Sequence, residues 1–286
     1  MRPEPLPCPT DNPSQSALWN GPSGQAWITQ QAVLDALFEP FQTLLVDAAF
    51  ACGPSRVLDV GCGTGGTTLA LATRLGTATA CTGIDLSAPM IDLARARARR
   101  AGVPVTFLCA DAQVHDAQDG PFDLIVSRFG VMFFSDPVQA FARLRRAARE
   151  GATLCFLAWR SAAENPFMTT AERAAAAWLP DLPPRHLDAP GQFAFADAQR
   201  VARILRESGW ADVDIQPIDV PCTLPEQDLV GYLTHLGPVG LALQGQADMA
   251  HPAIIEHIRQ AFAPYIQGTE VRVDAACWWV TARAAG

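Results

Sequence analysis

The 286-residue sequence contains no lysine. All 21 basic residues are arginine, and 29 acidic residues leave a net charge of -8 and a pI of about 5.1. A nucleic-acid partner needs clustered cations to displace its counterions, so this balance argues against one. The arginine bias, with the abundant alanine, reflects codon usage rather than mechanism. No apolar run approaches the roughly 18–20 residues that cross a bilayer. Met1 to Pro13 has no apolar stretch and does not read as a secretory signal. None of the 8 cysteines forms a CxxC pair or a Cys/His cluster with zinc spacing, which points away from a metal. Cys81, Cys109, Cys155 and Cys277 lie in apolar runs, so the cysteines read as reduced, buried thiols of a cytoplasmic protein. No Asp/Glu pair has catalytic spacing, and no repeat has solenoid period.

Hydrophobic residues make up 49% and charged residues 17%, enough apolar material for a sizeable core. The length exceeds one domain of ~100–200 residues, which implies one decorated domain or a domain plus a lid. Residues 1–15, with five prolines, read as a disordered, solvated tail. Residues 16–54 read as a helical cap: Trp19 to Trp27 is turn-rich, and Val33, Leu34, Leu37, Phe38, Phe41, Leu44 and Leu45 recur at helical spacing. Pro40 divides that stretch in two.

From residue 55 to 160, short apolar runs alternate with helices. Strands are expected at Arg56–Val60, Ala78–Asp85, Val105–Cys109, Phe122–Ser127 and Thr153–Trp159. A helix capped by Ser87 runs to Gly102, and another opens at Asp136-Pro137 and closes at Gly151. This rhythm predicts right-handed βαβ units and a mostly parallel sheet covered on both faces. Residues 161–286 break the rhythm and read as lid insertions plus the last strands of the same sheet, Asp212–Val220 and Glu270–Thr281. Two or three helices are expected within residues 223–268.

The chemistry-bearing signal is Val57-Leu-Asp-Val-Gly-Cys-Gly-Thr-Gly-Gly66. A strand runs into glycines that let a ligand approach the backbone, and a helix N-terminus behind them offers free N–H groups. Asp59 sits at the strand end, where a carboxylate repels a pyrophosphate but suits an ammonium. Asp85 ends the second strand 26 residues later, and Asp111-Ala112 follows the third after 26 more. Equal βα steps bring all three acids to the sheet edge where ligands bind, and an acid in the position of Asp85 accepts hydrogen bonds from ribose hydroxyls.

These residues resemble the class I S-adenosylmethionine-dependent methyltransferases, most closely the ubiquinone/menaquinone-biosynthesis-like small-molecule branch. VLDVGCGTG matches the first family motif; Gly83–Ile91, Cys109–Gln113 and Phe122–Ser127 look like those that follow. The resemblance implies a doubly wound, seven-stranded, mostly parallel α/β sheet of Rossmann-like type, with its last strand antiparallel, N-terminal helices and a helical lid. It implies S-adenosylmethionine as cofactor and S-adenosylhomocysteine as product. Asp59, Gly61, Cys62 and Gly63 would hold the methionine moiety, Asp85 the ribose, and Leu86, Asp111 and Ala112 the adenine. Ser127 and Arg128 would lie beneath the sulfonium, and Trp19 and Trp27 would fold over the site. Ser127-Arg128-Phe129-Gly130 departs from the Asn-Pro-Pro-Tyr type, which argues against nucleic-acid and protein-amide targets.

Arg128 could bind a substrate carboxylate, and Trp19, Phe129 and Met132 would join it at the substrate. The lid segments are rich in Phe, Leu and Pro, so an apolar or aromatic small molecule is the expected acceptor; an exposed apolar face for a homodimer fits the same composition. A hydroxyl or carbon acceptor needs a base, for which His186 and His235 are the lid candidates and His115 lies near the third motif. Gly61-x-Gly63-x-x-Gly66 also satisfies a dinucleotide fingerprint, so an NAD-dependent oxidoreductase is the alternative, and a catalytically silent methyltransferase-like binding protein is the third reading.

Overall fold

In a computed structural model describing residues 10, 12–116, 120–182, 189–244 and 251–285, the apolar runs form the expected strands. In chain order these are β1 (Arg56–Val60), β2 (Ala80–Asp85), β3 (Thr106–Cys109), β4 (Phe122–Arg128), β5 (Ala148–Trp159), β6 (Trp210–Pro225), the two-residue β7 (Ile266–Gln267) and β8 (Glu270–Ala284). The spatial order is β3-β2-β1-β4-β5-β8-β6, with β7 beside β8. The first five strands are parallel, and β8 inserts antiparallel between β5 and β6. The sheet is therefore the expected seven strands plus one short addition. The order reverses between β1 and β4, and that switch point opens a crevice at the carboxyl ends of the strands.

The helices are α1 (Pro13–Asn20), α2 (Pro22–Thr29), α3 (Gln31–Leu37), α4 (Glu39–Cys52), α5 (Gly66–Leu75), α6 (Ala88–Ala101), α7 (Pro137–Ala147), α8 (Phe167–Ala175), α9 (Ala198–Glu207), α10 (Glu226–His235), α11 (Gly237–Gln244) and α12 (His251–Ala261). Their ends follow local chemistry. Ser87 accepts from the Met90 N–H and Gly102 closes α6 in the left-handed conformation, while Asp136 and Asp197 cap α7 and α9 through their side chains. Pro40 stands in the first turn of α4 and separates it from α3. Phe41, Leu45, Leu71, Ile125, Phe141 and Phe156 are among the fully buried side chains of a core that spans both faces of the sheet.

The N-terminal helices are tied across the crevice by polar side chains. Asn20 donates to the Leu86 carbonyl at 3.2 Å and accepts from the Ala88 N–H at 2.9 Å. Ser87 donates to the Trp19 carbonyl at 2.7 Å, and Asn12 donates to the Phe133 carbonyl at 3.1 Å. The cap thus grips the loops after both β2 and β4.

Three expectations need correction. The tail does not extend to residue 15: α1 starts at Pro13 because Asn12 accepts from the Gln15 N–H, and Gln15 is buried. Gly151 does not end a helix. Helix α7 stops at Ala147, and Gly151, at φ 74°, turns the chain inside β5 where its pairing with β4 is interrupted between Phe122 and Leu124. Cys109 is disulfide-bonded rather than reduced. It ends β3 at the sheet margin, where the chain near Thr10 returns to bond Asp111. Cys52, Cys62, Cys81, Cys155, Cys222 and Cys277 are free thiols. Among the described residues no helix is long and apolar enough to cross a membrane, and no cluster of His, Cys, Asp and Glu could hold a metal.

Candidate functional site

A cavity of about 470 Å³ opens at the carboxyl ends of β1 to β4, roofed by the N-terminal helices and by α8, α10 and α11. The strand-end acids Asp59, Asp85 and Asp111 all reach it, as do Gly61, Cys62 and Gly63 of the glycine loop and Leu86 and Ala112 beside the second and third acids. Trp19, Trp27, Arg128, Phe129 and Met132 line it too.

The loop conformation follows from close packing. Gly61 has φ 69°, and a Cβ on it would lie 2.7 Å from the Gly130 Cα. A Cβ on Gly130 would lie 2.7 Å from the Val60 carbonyl oxygen. The loops after β1 and β4 therefore touch backbone to backbone, which only glycine permits.

Asp59 is 1% exposed, and its Oδ2 accepts from the Thr68 hydroxyl at 2.6 Å. Burial pushes its pKa up to about 6, against the opposing pull of the Thr68 bond and of Arg128. Asp85 accepts from the Gly63 N–H and the Ser87 N–H, each at 2.8 Å. Burial raises its pKa more than these backbone donors lower it. Burial likewise holds the Cys62 thiol far up, so Cys62 meets the cavity as a neutral group. Asp111 is closed by neighbours: Thr10 donates to its Oδ2 at 2.6 Å, and the Gln113 N–H donates to its Oδ1 at 2.9 Å.

Arg128 is the notable cation. Burial depresses its pKa, and the charges of Asp35 and Asp59 oppose that. Among the described residues its hydrogen bond is a long one, 3.4 Å to the Phe38 carbonyl, and it lines the cavity. Asp35 is itself paired to Arg97 at 2.5 Å. The wall beyond is aromatic. Phe129, held at φ 64°, stacks on Trp159 with centroids 4.0 Å apart. Trp19 meets Phe133 and Trp27 edge to face at 5.1 and 5.9 Å.

Ser127 is a correction. It is fully buried and does not line the cavity: its hydroxyl donates to the Val60 carbonyl at 2.7 Å and accepts from the Gly130 N–H at 3.1 Å. It joins β4 to β1 instead of facing a ligand. His235 does line the cavity. His115 lines a separate small recess beside Arg143, and His186 lies outside the described residues. Sequence reasoning missed Asp35, Gln113, Trp159 and Glu172, which also line the cavity. Asp35 had a signal, as an acid inside the apolar stripe of α3. Trp159 had one too, since it ends the next parallel strand along the same edge.

Known proteins agree with this geometry. Residues 57–151 match the family model described as a methyltransferase domain. Demethylmenaquinone methyltransferase of Thermus thermophilus is 38% identical over 112 residues, 39% of this chain and 50% of that protein. Aklanonic acid methyltransferase DauC of a Streptomyces species is 32% identical over 120 residues, 42% of this chain and 54% of that protein. The chain thus spans about half the length of these curated relatives. The crystal structure of YcgJ from Bacillus subtilis shares the fold, with a TM-score of 0.57 at 16% identity over 86% of this chain and 98% of that one. Residues 57–151 are thus similar to a methyltransferase domain, and both of these curated relatives are named as methyltransferases.

Proposed function

We propose that the chain transfers a methyl group from S-adenosylmethionine to an apolar or aromatic small molecule. The observation that carries this reading is one buried carboxylate and one under-bonded guanidinium, Asp59 and Arg128, facing the same cavity beside the glycine loop. Opposite charges at that spot suit the ammonium and carboxylate of a free amino acid end. A dinucleotide has no zwitterion to offer them, and its pyrophosphate would be repelled by Asp59. Arg128 therefore moves, in this reading, from the acceptor to the cofactor. Asp85, with both oxygens already oriented by backbone N–H groups, keeps lone pairs for ribose hydroxyls. Leu86 and Ala112 supply apolar contact for the adenine, and Asp111 orients Gln113 beside it. Trp19, Trp27, Phe129 and Met132 serve as the wall between cofactor and acceptor.

When bound, the cofactor supplies an electrophilic methyl group on sulfur. The residues of this chain align and desolvate the reaction: the ionic end anchors one ligand, and the aromatic wall holds the other in line and excludes water. Residues 16–54 act as cap, 55–160 as cofactor core and 161–286 as acceptor lid plus the closing strands.

Calorimetric titration with S-adenosylhomocysteine, with NAD in parallel, tests the reading. Micromolar or tighter binding of the first is expected, weakened at least about 100-fold in Asp85→Ala, since two charge-assisted bonds of roughly 1.5–3 kcal/mol each depend on that carboxylate. Binding of NAD alone would replace the reading with an oxidoreductase.

A further inference from the structure

His235 is on the cavity wall with no task in the reading above. Its tautomer follows from counting protons. Nδ1 lies 2.9 Å from the Gly231 carbonyl oxygen and 3.1 Å from the Thr234 hydroxyl oxygen. A carbonyl only accepts. The Thr234 hydroxyl has one proton and donates it to the Val230 carbonyl at 2.8 Å, so it turns lone pairs toward the ring. Both neighbours therefore require a proton on Nδ1. In the neutral ring Nε2 is then left with the lone pair, and it has no hydrogen-bond partner among the described residues.

The ring is also held in place. It ends α10, and α11 folds back so tightly that a Cβ on Gly240 would lie 2.6 Å from the His235 carbonyl carbon. His235 is half-buried, and Leu236, Val239, Met168 and Phe262 line the same cavity. A fixed imidazole on the cavity wall, with the lone pair left on Nε2, is the arrangement that proton abstraction needs.

We infer that His235 is the general base of the reaction and that the acceptor nucleophile is a hydroxyl on an apolar ring. Resting on the methyltransferase reading, the step balances as follows. The acceptor O–H breaks, its proton goes to Nε2 and its electron pair stays on oxygen. An oxygen lone pair forms the bond to the methyl carbon, and the electrons of the broken carbon–sulfur bond stay on sulfur. The positive charge passes to the imidazolium, whose Nδ1–H keeps its bonds to Gly231 and Thr234. An amine that presents a neutral lone pair has no need of this base, so the feature selects against amine acceptors.

The first readout is independent of turnover. In 15N-labelled protein, with the ring in its neutral form, the signals lost in His235→Gln should show a protonated Nδ1 and a bare Nε2. A protonated Nε2 would overturn the assignment. The second uses S-adenosylmethionine with 1-naphthol and 1-naphthylamine, one skeleton with two nucleophiles. The naphthol should be methylated, and His235→Gln should lower kcat at least about 100-fold while S-adenosylhomocysteine affinity stays within about twofold. Methylation of the naphthylamine alone would overturn the proposal, as would transfer of the rate loss to Glu172→Gln. Failure of the wild-type protein to bind S-adenosylhomocysteine would instead remove the methyltransferase reading beneath it.

Discussion

Asp59→Asn separates the cost of the buried carboxylate from its use. Burial raises the Asp59 pKa from 3.8 to about 6, and a tenfold change in proton affinity is worth about 1.4 kcal/mol. The difference amounts to about 3 kcal/mol. Its sign follows from proton counting. Between the two values the unfolded chain is ionised while the folded protein retains the proton, so the folded state binds more protons and stability falls as pH rises. The contribution is whole below pH 3.8 and gone once the pH passes about 6. Asparagine does not titrate and can still accept from the Thr68 hydroxyl, so it behaves as a permanently neutral Asp59, with a constant offset for its unpaired N–H groups. The gap between variant and wild type, free of ligand, should therefore shift in the variant's favour by about 2 kcal/mol between roughly pH 4.5 and pH 8. At this chain length that is ~4–8 °C in melting temperature. The same variant should bind S-adenosylhomocysteine at least about tenfold more weakly at pH 8, since the ligand ammonium loses its counter-charge. Parallel thermal melts across pH and titration calorimetry read both effects. A gap that stays flat with pH refutes the buried, titrating carboxylate; unchanged affinity refutes its role at the ligand.

Ser127→Ala should lose about 1–3 kcal/mol of stability, because it strips the buried Val60 carbonyl and Gly130 N–H of a partner, while S-adenosylhomocysteine affinity stays within about threefold; a large affinity loss would return Ser127 to the ligand. Gly130→Ala places a Cβ 2.7 Å from the Val60 oxygen and 2.8 Å from the Gly61 Cα, so melts should show a cost of ~1–3 kcal/mol or more together with weaker binding by the displaced glycine loop. Unchanged values of both would disprove the backbone contact. Arg128→Met removes a cation that lowers the Asp59 pKa. The stability loss tied to Asp59 ionisation should then move to higher pH and S-adenosylhomocysteine affinity should fall, and an unmoved profile would show that the two groups do not sense each other.

The parts of this site that were legible in sequence are those whose geometry the covalent chain sets. Asp59, Asp85 and Asp111 recur every 26 residues because one strand, one helix and their turns return the parallel chain to the same edge. The glycines announce themselves because the left-handed turns at Gly61 and Gly65 bring neighbours within 2.7 and 2.8 Å of where a Cβ would lie. Ser127 was misread for the complementary reason. It sits at a strand end like the acids, but which neighbour its hydroxyl meets depends on β4 lying beside β1, and that pairing is made by a crossover with no local trace. Gly151 misled in the same way, since a left-handed glycine closes a helix or turns an interrupted strand equally well until the partner strand is known.

The acceptor end shows the same division more sharply. Its wall is assembled from α8, α10 and α11, far in sequence from the glycine loop, and no periodicity in residues 161–286 links Met168 to Val239 or either to Trp159. The state of His235 is the exception. The acceptors that fix its ring are the carbonyl four residues back and the side chain next to it, within one helical turn. Once α10 is known to be a helix, the proton on Nδ1 follows from local sequence alone, while the cavity that gives Nε2 something to deprotonate comes from the tertiary fold. The base is thus prepared locally and put to use globally. A change in the lid that preserves α10 should alter which acceptor is methylated while the tautomer of His235 stays as it is.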